Sequence, residues 1–249
     1  YISKHQQDLN TWKTLLKTIV FVSIPLVLVL TQPNLSTTII TFLMFCCILF
    51  IGGLSMKIIR TVFAITVPLA SFALVYIQMP GQKLLKDYQA KRILGFLNPQ
   101  KYEAINYQQQ NSMQAISYGQ LNGQIGRGTY SVSEAGFLPE SHTDFIFSIV
   151  GQELGFVGCT AVIVLFLVLL YQCLHNANRA IDLQGRLICC GVASLIGIQT
   201  LLNMGVTTGL MPNTGVTLPF VSYGLTSLWS MLCGIGFVLN VGLRGRNRY

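Results

Sequence analysis

The amino-acid sequence predicts an all-α polytopic membrane protein with about six transmembrane helices and one large extracytoplasmic loop. Three observations carry this. The 249-residue chain is 52% hydrophobic and only 10% charged, where ordinary soluble domains are about 25% charged. Its mean hydropathy is +0.57. Six apolar stretches, near 18–32, 35–53, 58–79, 145–171, 187–211 and 220–243, are divided by short basic links and one long polar segment. A soluble globule of this length cannot hide so much apolar surface. The composition therefore excludes a soluble single-domain enzyme and a disordered chain. It also excludes a nucleic-acid binder despite a net charge of +8 and a pI near 9.2, because the basic residues are scattered between apolar runs and form no single face.

Residues 1–79 comprise a polar start and three membrane segments. The start, Tyr1 to Lys13, shows no signal-peptide pattern, and a beginning inside a longer protein is an open reading. The first apolar run is short and contains Pro25; Gln32-Pro33-Asn34 joins it to the second with no room for a soluble loop. These two runs read as a tight hairpin or a broken re-entrant pair. Most of the remaining runs reach the ~20 residues that cross a hydrocarbon core. Residues 80–144 form the polar segment, too long for a mere connector, and loops of that size tend to be functional. Tyr107-Gln-Gln-Gln-Asn111 within it reads as a polar helix lying along the interface. Gly119, Gly123, Gly126 and Gly128 read as a flexible turn region or as a close backbone approach to a lipid headgroup. They are no phosphate loop, since no strand precedes them and no Lys-Ser/Thr closes the spacing. Residues 145–249 hold three more membrane segments and a basic tail.

Charge sets the orientation. Lys4, Lys13, Lys17, Lys57, Arg60, Arg179, Arg186, Arg244, Arg246 and Arg248 all fall on one side if six spans are counted, against Asp8 and Asp182. By the positive-inside rule that side is the cytoplasm, and both ends of the chain lie there. The seven cysteines, Cys46, Cys47, Cys159, Cys173, Cys189, Cys190 and Cys233, sit in or beside apolar runs, are odd in number and form no C-x-x-C. They read as small buried hydrophobes.

Chemistry concentrates in Phe137–Phe147, where Glu140, His142 and Asp144 alternate just before a span. In an extended segment alternate residues face one way, so the three are expected to converge at the outer membrane surface. Capping competes with this: Ser141-x-x-Asp144, or Thr143, suits the start of a helix near Phe145. A divalent ion such as Mg or Mn, held by Asp144, Glu140 and His142, is a third reading. Glu153 lies about 13 Å deeper at 1.5 Å per residue and on the opposite helical face from Asp144. It and Gln152 are expected to be buried polar groups, with Glu153 bonded to another helix. Pro212–Gly224 interrupts an apolar region with two prolines and two glycines. Irregular backbone at membrane depth survives only inside protein or beside a cavity, so this run should line one, or form a purely structural re-entrant turn.

These motifs carry a family resemblance. Phe137–Gly158 (FLPESHTDFIFSIVGQELGFVG) and Pro212–Gly224 (PNTGVTLPFVSYG) resemble hallmarks of the RodA/FtsW/SpoVE proteins, the SEDS family. Gln32–Thr37 resembles the family's QPDLGT, and Gln114–Gly119 resembles its QSxxAIGSGG region. The resemblance implies a bacterial cytoplasmic-membrane peptidoglycan glycosyltransferase that polymerises lipid II, an undecaprenyl-diphosphate-linked disaccharide peptide, with a class B penicillin-binding protein. It places the essential outer-loop Asp on Asp144; Glu140, His142, Arg127, Ser222 and Tyr223 are the expected substrate-binding residues beside it. The Phe220–Gly224 stretch leans toward the elongation type over the division or sporulation types. Family members have roughly ten spans of ~20 residues, so the chain reads as a fragment lacking the first four. Asn34 and Ser36 replace the Asp and Gly of QPDLGT, Gln152 the first Glu of EELG, and Leu225 the second Gly of SYGGSS. These changes imply an altered cavity, and the chain alone could be inactive.

The implied reaction is one inverting displacement at an anomeric carbon by the 4-hydroxyl of an acceptor sugar. It needs one base and positive charge on the departing diphosphate, not the carboxylate pair of a glycoside hydrolase. Asp144 is the expected base, and Arg127 or a divalent ion the expected positive charge. Flanking Phe137, Leu138, Phe145 and Phe147 would raise its basicity by desolvation, while a nearby cation would lower it. Two other classes stand beside this one: a lipid II flippase or transporter using the same cavity, and a non-catalytic scaffold for a penicillin-binding protein.

Overall fold

In a computed structural model of the chain, residues 1–32, 34–79, 86–125 and 142–246 are described. Among them helices and turns make up the fold: α1 (Trp12–Thr31), α2 (Leu35–Ile51), α3 (Met56–Ile77), α4 (Asp87–Leu97), α5 (Glu103–Gly119), α6 (Ile146–Arg179), α7 (Leu183–Thr207) and α8 (Leu225–Arg246), after a short 3-10 turn at Ile2–His5.

All six expected apolar runs become helices, with shifted ends. Five of them, α1, α3, α6, α7 and α8, are long and apolar enough to cross a membrane. The sixth, α2, has 17 residues, about 25 Å at 1.5 Å per residue and a little short of a ~30 Å hydrocarbon core. Its cap is Asn34, whose side chain accepts a hydrogen bond from the Thr37 amide at 3.1 Å. Helix α1 starts at Trp12, ahead of its apolar run, and continues through Pro25. Helix α6 runs past the apolar stretch to Arg179, because Gln172, His175 and Asn176 are polar without breaking a helix. Its unbroken part, from Phe156 on, spans about 36 Å.

The core lies between α6, α7 and α8, around Phe147, Phe166, Ile196, Leu218 and Met231. A second cluster toward the basic end holds Cys173, Ala177, Cys189, Cys190 and Val238. No disulfide joins the seven cysteines; four are buried, Cys47 is half-buried, and Cys46 and Cys233 are exposed on their helices. Helix α2 packs on α7 and α1 on α2. Helix α3 stands apart, with Ile77 its one buried residue among those described.

The polar segment is built into the bundle. Helix α5 packs against α6 and α7, and its Asn106, Gln109, Asn111 and Ser112 are buried. The Gln109 amide donates to the carbonyls of Val206 (2.8 Å) and Met211 (2.7 Å), and the Ser112 hydroxyl donates to that of Thr207 (3.0 Å). The last carbonyls of a helix have no partner within it, and α5 supplies one. The Gln-rich run thus turns its polar face inward, where the interfacial reading expected it to lie along the surface.

The glycines differ from expectation as well. Gly126 and Gly128 lie outside the described residues. Gly119 and Gly123 are close-packing contacts: a Cβ on Gly119 would collide with the Gly151 carbonyl, and one on Gly123 with the Glu153 carbonyl. They admit the 119–125 backbone to a break in α6, where Gly155 takes φ +66. Across that break Phe156 N–H donates to Gln120 O (2.8 Å), Gln124 N–H to Gln152 O (3.1 Å) and Ile125 N–H to Glu153 O (3.2 Å).

Candidate functional site

The site is built on the turn at residues 142–145, which leads into α6. Three successive carbonyls of this turn are held by the chain's later half. His142 O accepts from the Tyr223 amide at 2.9 Å. Thr143 O accepts from the Ser222 hydroxyl at 2.6 Å. Asp144 O accepts from the Asn203 side-chain amide at 2.7 Å. Below them Phe145, only 1% exposed, anchors the turn in the core. Asn203, also 1% exposed, donates its second N–H to Val216 O at 2.7 Å, so one buried amide ties the Asp144 turn to the irregular run between α7 and α8.

That backbone leaves the Asp144 side chain facing a cleft of about 430 Å³. Helix α4 contributes Tyr88, Gln89 and Arg92; α2 contributes Ser36 and Ile39 beside its cap Asn34; Pro212–Gly215 closes the wall. Gly215 brings the charges together. It holds φ +67, a left-handed conformation that favours glycine. The point where its Cβ would stand is 3.4 Å from Asp144 Oδ2 and 3.8 Å from Arg92 Nη1. A carboxylate and a guanidinium therefore flank one small space that only a glycine leaves open. The Ser36 hydroxyl donates to Thr214 O, fixing that wall to α2.

The cap position of α6 is Phe145, one residue after Asp144, and Ser141 lies outside the described residues. The expected convergence on one face is corrected. Residues 142–145 form turns, not an extended strand, so alternation does not apply. His142 lines a second, largely apolar cleft of about 570 Å³ with Ile146, Ser222, Tyr223, Leu225 and Leu228. The Pro212–Gly224 run lines cavities as expected, but it divides between the two clefts.

Ser222 is occupied by structure: its hydroxyl accepts from Leu218 N–H at 2.7 Å and donates to Thr143 O. Tyr223 is 74% exposed at the mouth of the apolar cleft. Gln152 is buried, 3% exposed. Glu153 is not; it is exposed, because the break at Gly155 ends the upper part of α6 beside it and only its carbonyl is engaged. Glu140, Arg127, Phe137 and Leu138 lie outside the described residues. Among the described residues no group of three or more His, Cys, Asp or Glu is placed to hold a metal ion, and His142 and Asp144 face different clefts.

Sequence reasoning missed Arg92 and Asn203. A signal existed for the second: an amide inside an apolar run needs a buried partner. None existed for Arg92, one of six basic residues in residues 80–144.

An α-helical membrane bundle with a carboxylate and a guanidinium at one end, in a cleft walled by irregular chain, defines a polytopic membrane protein with a polar reaction or binding site at its surface. The chain belongs to the FTSW_RODA_SPOVE family, described as cell cycle proteins, which it matches over residues 1–247. It is 39% identical over 220 residues to stage V sporulation protein E of Bacillus subtilis (strain 168), covering 88% of this chain and 57% of that protein. It is 32% identical over 247 residues to the probable peptidoglycan glycosyltransferase FtsW of Buchnera aphidicola subsp. Schizaphis graminum (strain Sg), covering 97% of this chain and 67% of that one. A solved chain from a peptidoglycan synthase complex that coordinates polymerization and crosslinking superposes with TM-score 0.74 at 29% identity, covering 96% of this chain and 64% of its own. The chain thus spans 57% to 67% of the length of these proteins.

Proposed function

We propose that this chain carries the glycosyl-transfer site of a peptidoglycan polymerase serving cell elongation or division, with Asp144 as general base and Arg92 as the charge opposite it. The carrying observation is the placement of Asp144 Oδ2 and Arg92 Nη1 about the same point beside Gly215. The donor is lipid II, and the cleft sits on the extracytoplasmic side. Asp144 takes the proton from the 4-hydroxyl of the acceptor sugar as that oxygen attacks the anomeric carbon of the donor. The bond to the lipid diphosphate breaks with its electron pair, inverting the centre. Arg92 lies where it would meet the negative charge that develops on the departing diphosphate. The base does not need a second carboxylate, in keeping with eight acidic residues in the whole chain. The partner is a class B penicillin-binding protein that crosslinks the strands, a reading supported by the structural likeness to a synthase complex.

The test is Asp144→Asn in the intact protein at matched membrane levels, assayed for glycan polymer from purified lipid II. Loss of a positioned base removes about 10²–10⁴-fold of rate. Asp144→Glu, one methylene longer, should also fail, since placement governs proton transfer. Polymer at the unsubstituted rate overturns the assignment. Lipid II moved across vesicles without polymer would show a transporter, and normal growth with Asp144→Asn would show a scaffold.

A further inference from the structure

The opposite end of the bundle holds a feature that the glycosyl-transfer reading does not use. Between the start of α7 and the end of α8 lies a cleft of about 400 Å³. Asp182, Gln184, Asn240 and Arg244 line its polar part, and Ile188 and Phe237 its apolar part. The arrangement of charge is specific. Asp182 caps α7 by accepting from Gly185 N–H at 3.1 Å through Oδ1. Arg244 is exposed at the last turn of α8. No ion pair joins them among the described residues, and the side chains of Gln184, Asn240 and Arg244 make no hydrogen bond there.

A cation and an anion that share one cleft without neutralising each other leave a dipolar gap. The apolar walls place that gap where two membrane-spanning helices end, at headgroup depth. An anionic headgroup would meet Arg244 but also the Asp182 carboxylate. A zwitterion meets both favourably. We propose that this cleft binds a phospholipid with a phosphoethanolamine headgroup. The phosphate lies on Arg244 and Asn240, the ammonium donates to Asp182, and an acyl chain runs along Phe237 and Ile188. The ammonium matters because its N–H groups donate hydrogen bonds, as a lysine's do; the quaternary ammonium of phosphatidylcholine has none to give.

The intact protein, purified in detergent, is offered equimolar phosphatidylethanolamine, phosphatidylglycerol and phosphatidylcholine and examined by native mass spectrometry. Phosphatidylethanolamine should be retained about five-fold over either competitor, as fits one charge pair at a partly exposed site. Asp182→Asn keeps a competent helix cap and should erase the preference over phosphatidylcholine. Arg244→Gln should weaken phosphatidylethanolamine and phosphatidylglycerol alike. Water-soluble O-phosphoethanolamine should compete poorly, which assigns the site to a lipid rather than to the free headgroup. Preferred retention of phosphatidylglycerol, equal retention of all three lipids, or an unchanged preference in Asp182→Asn overturns the proposal.

Discussion

The two halves of the membrane bundle are held by different means. Helices α5 to α8 enclose a core and are laced by buried polar bonds, among them the ties from Asn203, Gln109, Ser112 and Ser222. Helices α1 and α3 are apolar on nearly every side, and α3 buries one described residue. In lipid, apolar surface gains little by leaving one apolar medium for another, so packing and hydrogen bonds decide what is rigid. The polar-laced half is the one that holds Asp144 in its cleft. The comparison teaches that the polar residues of this chain are distributed by mechanical need and not only by contact with water.

That contrast can be broken most severely at Asp144, where Asn should abolish polymerisation in the lipid II assay while the protein still reaches the membrane. Next comes Asn203→Ala, which releases the carbonyls of Asp144 and Val216 together. A displacement near 1 Å costs about 10²-fold in rate, and the unpaired buried carbonyls about 1–3 kcal/mol in stability. Activity and thermal unfolding in detergent should both register it. Gly155→Ala should cost about 2–3 kcal/mol, because its Cβ would stand 2.6 Å from Leu121 O at a positive φ; a lowered melting temperature checks this. Asn34→Ala should cost about 1 kcal/mol through loss of the α2 cap, while Asn34→Asp keeps it. In the loose half, Phe63→Leu on α3 should change stability by less than about 0.5 kcal/mol. A large effect there would erase the distinction.

The membrane helices were legible because a span needs a long apolar run, and the sequence displays one for each of α1, α3, α6, α7 and α8. The irregular run 212–224 was legible for the converse reason: Pro212, Gly215, Pro219 and Gly224 crowd helix-weakening residues into one short stretch. Asp144 stood out as a rare acid before a span. What escaped was long-range pairing. Nothing local to Arg92 says that it faces Asp144 across Gly215, and nothing local to Gln109 says that it caps α7. Glu153 misled because its burial was argued from depth along an unbroken helix. Gly155, two residues later, ends that helix and turns the acid outward. The alternation of His142 and Asp144 misled in the same way, since a turn has no period of two.

The interruption of α6 has a mechanical corollary. Ile146–Leu154, the piece that follows the carboxylate's turn, packs in the core through Phe147, and the backbone on both sides of the break is stitched to Gln120–Ile125. The break is thus a splice: the segment that follows α5 clamps both pieces of α6, and the positions of all three are set together.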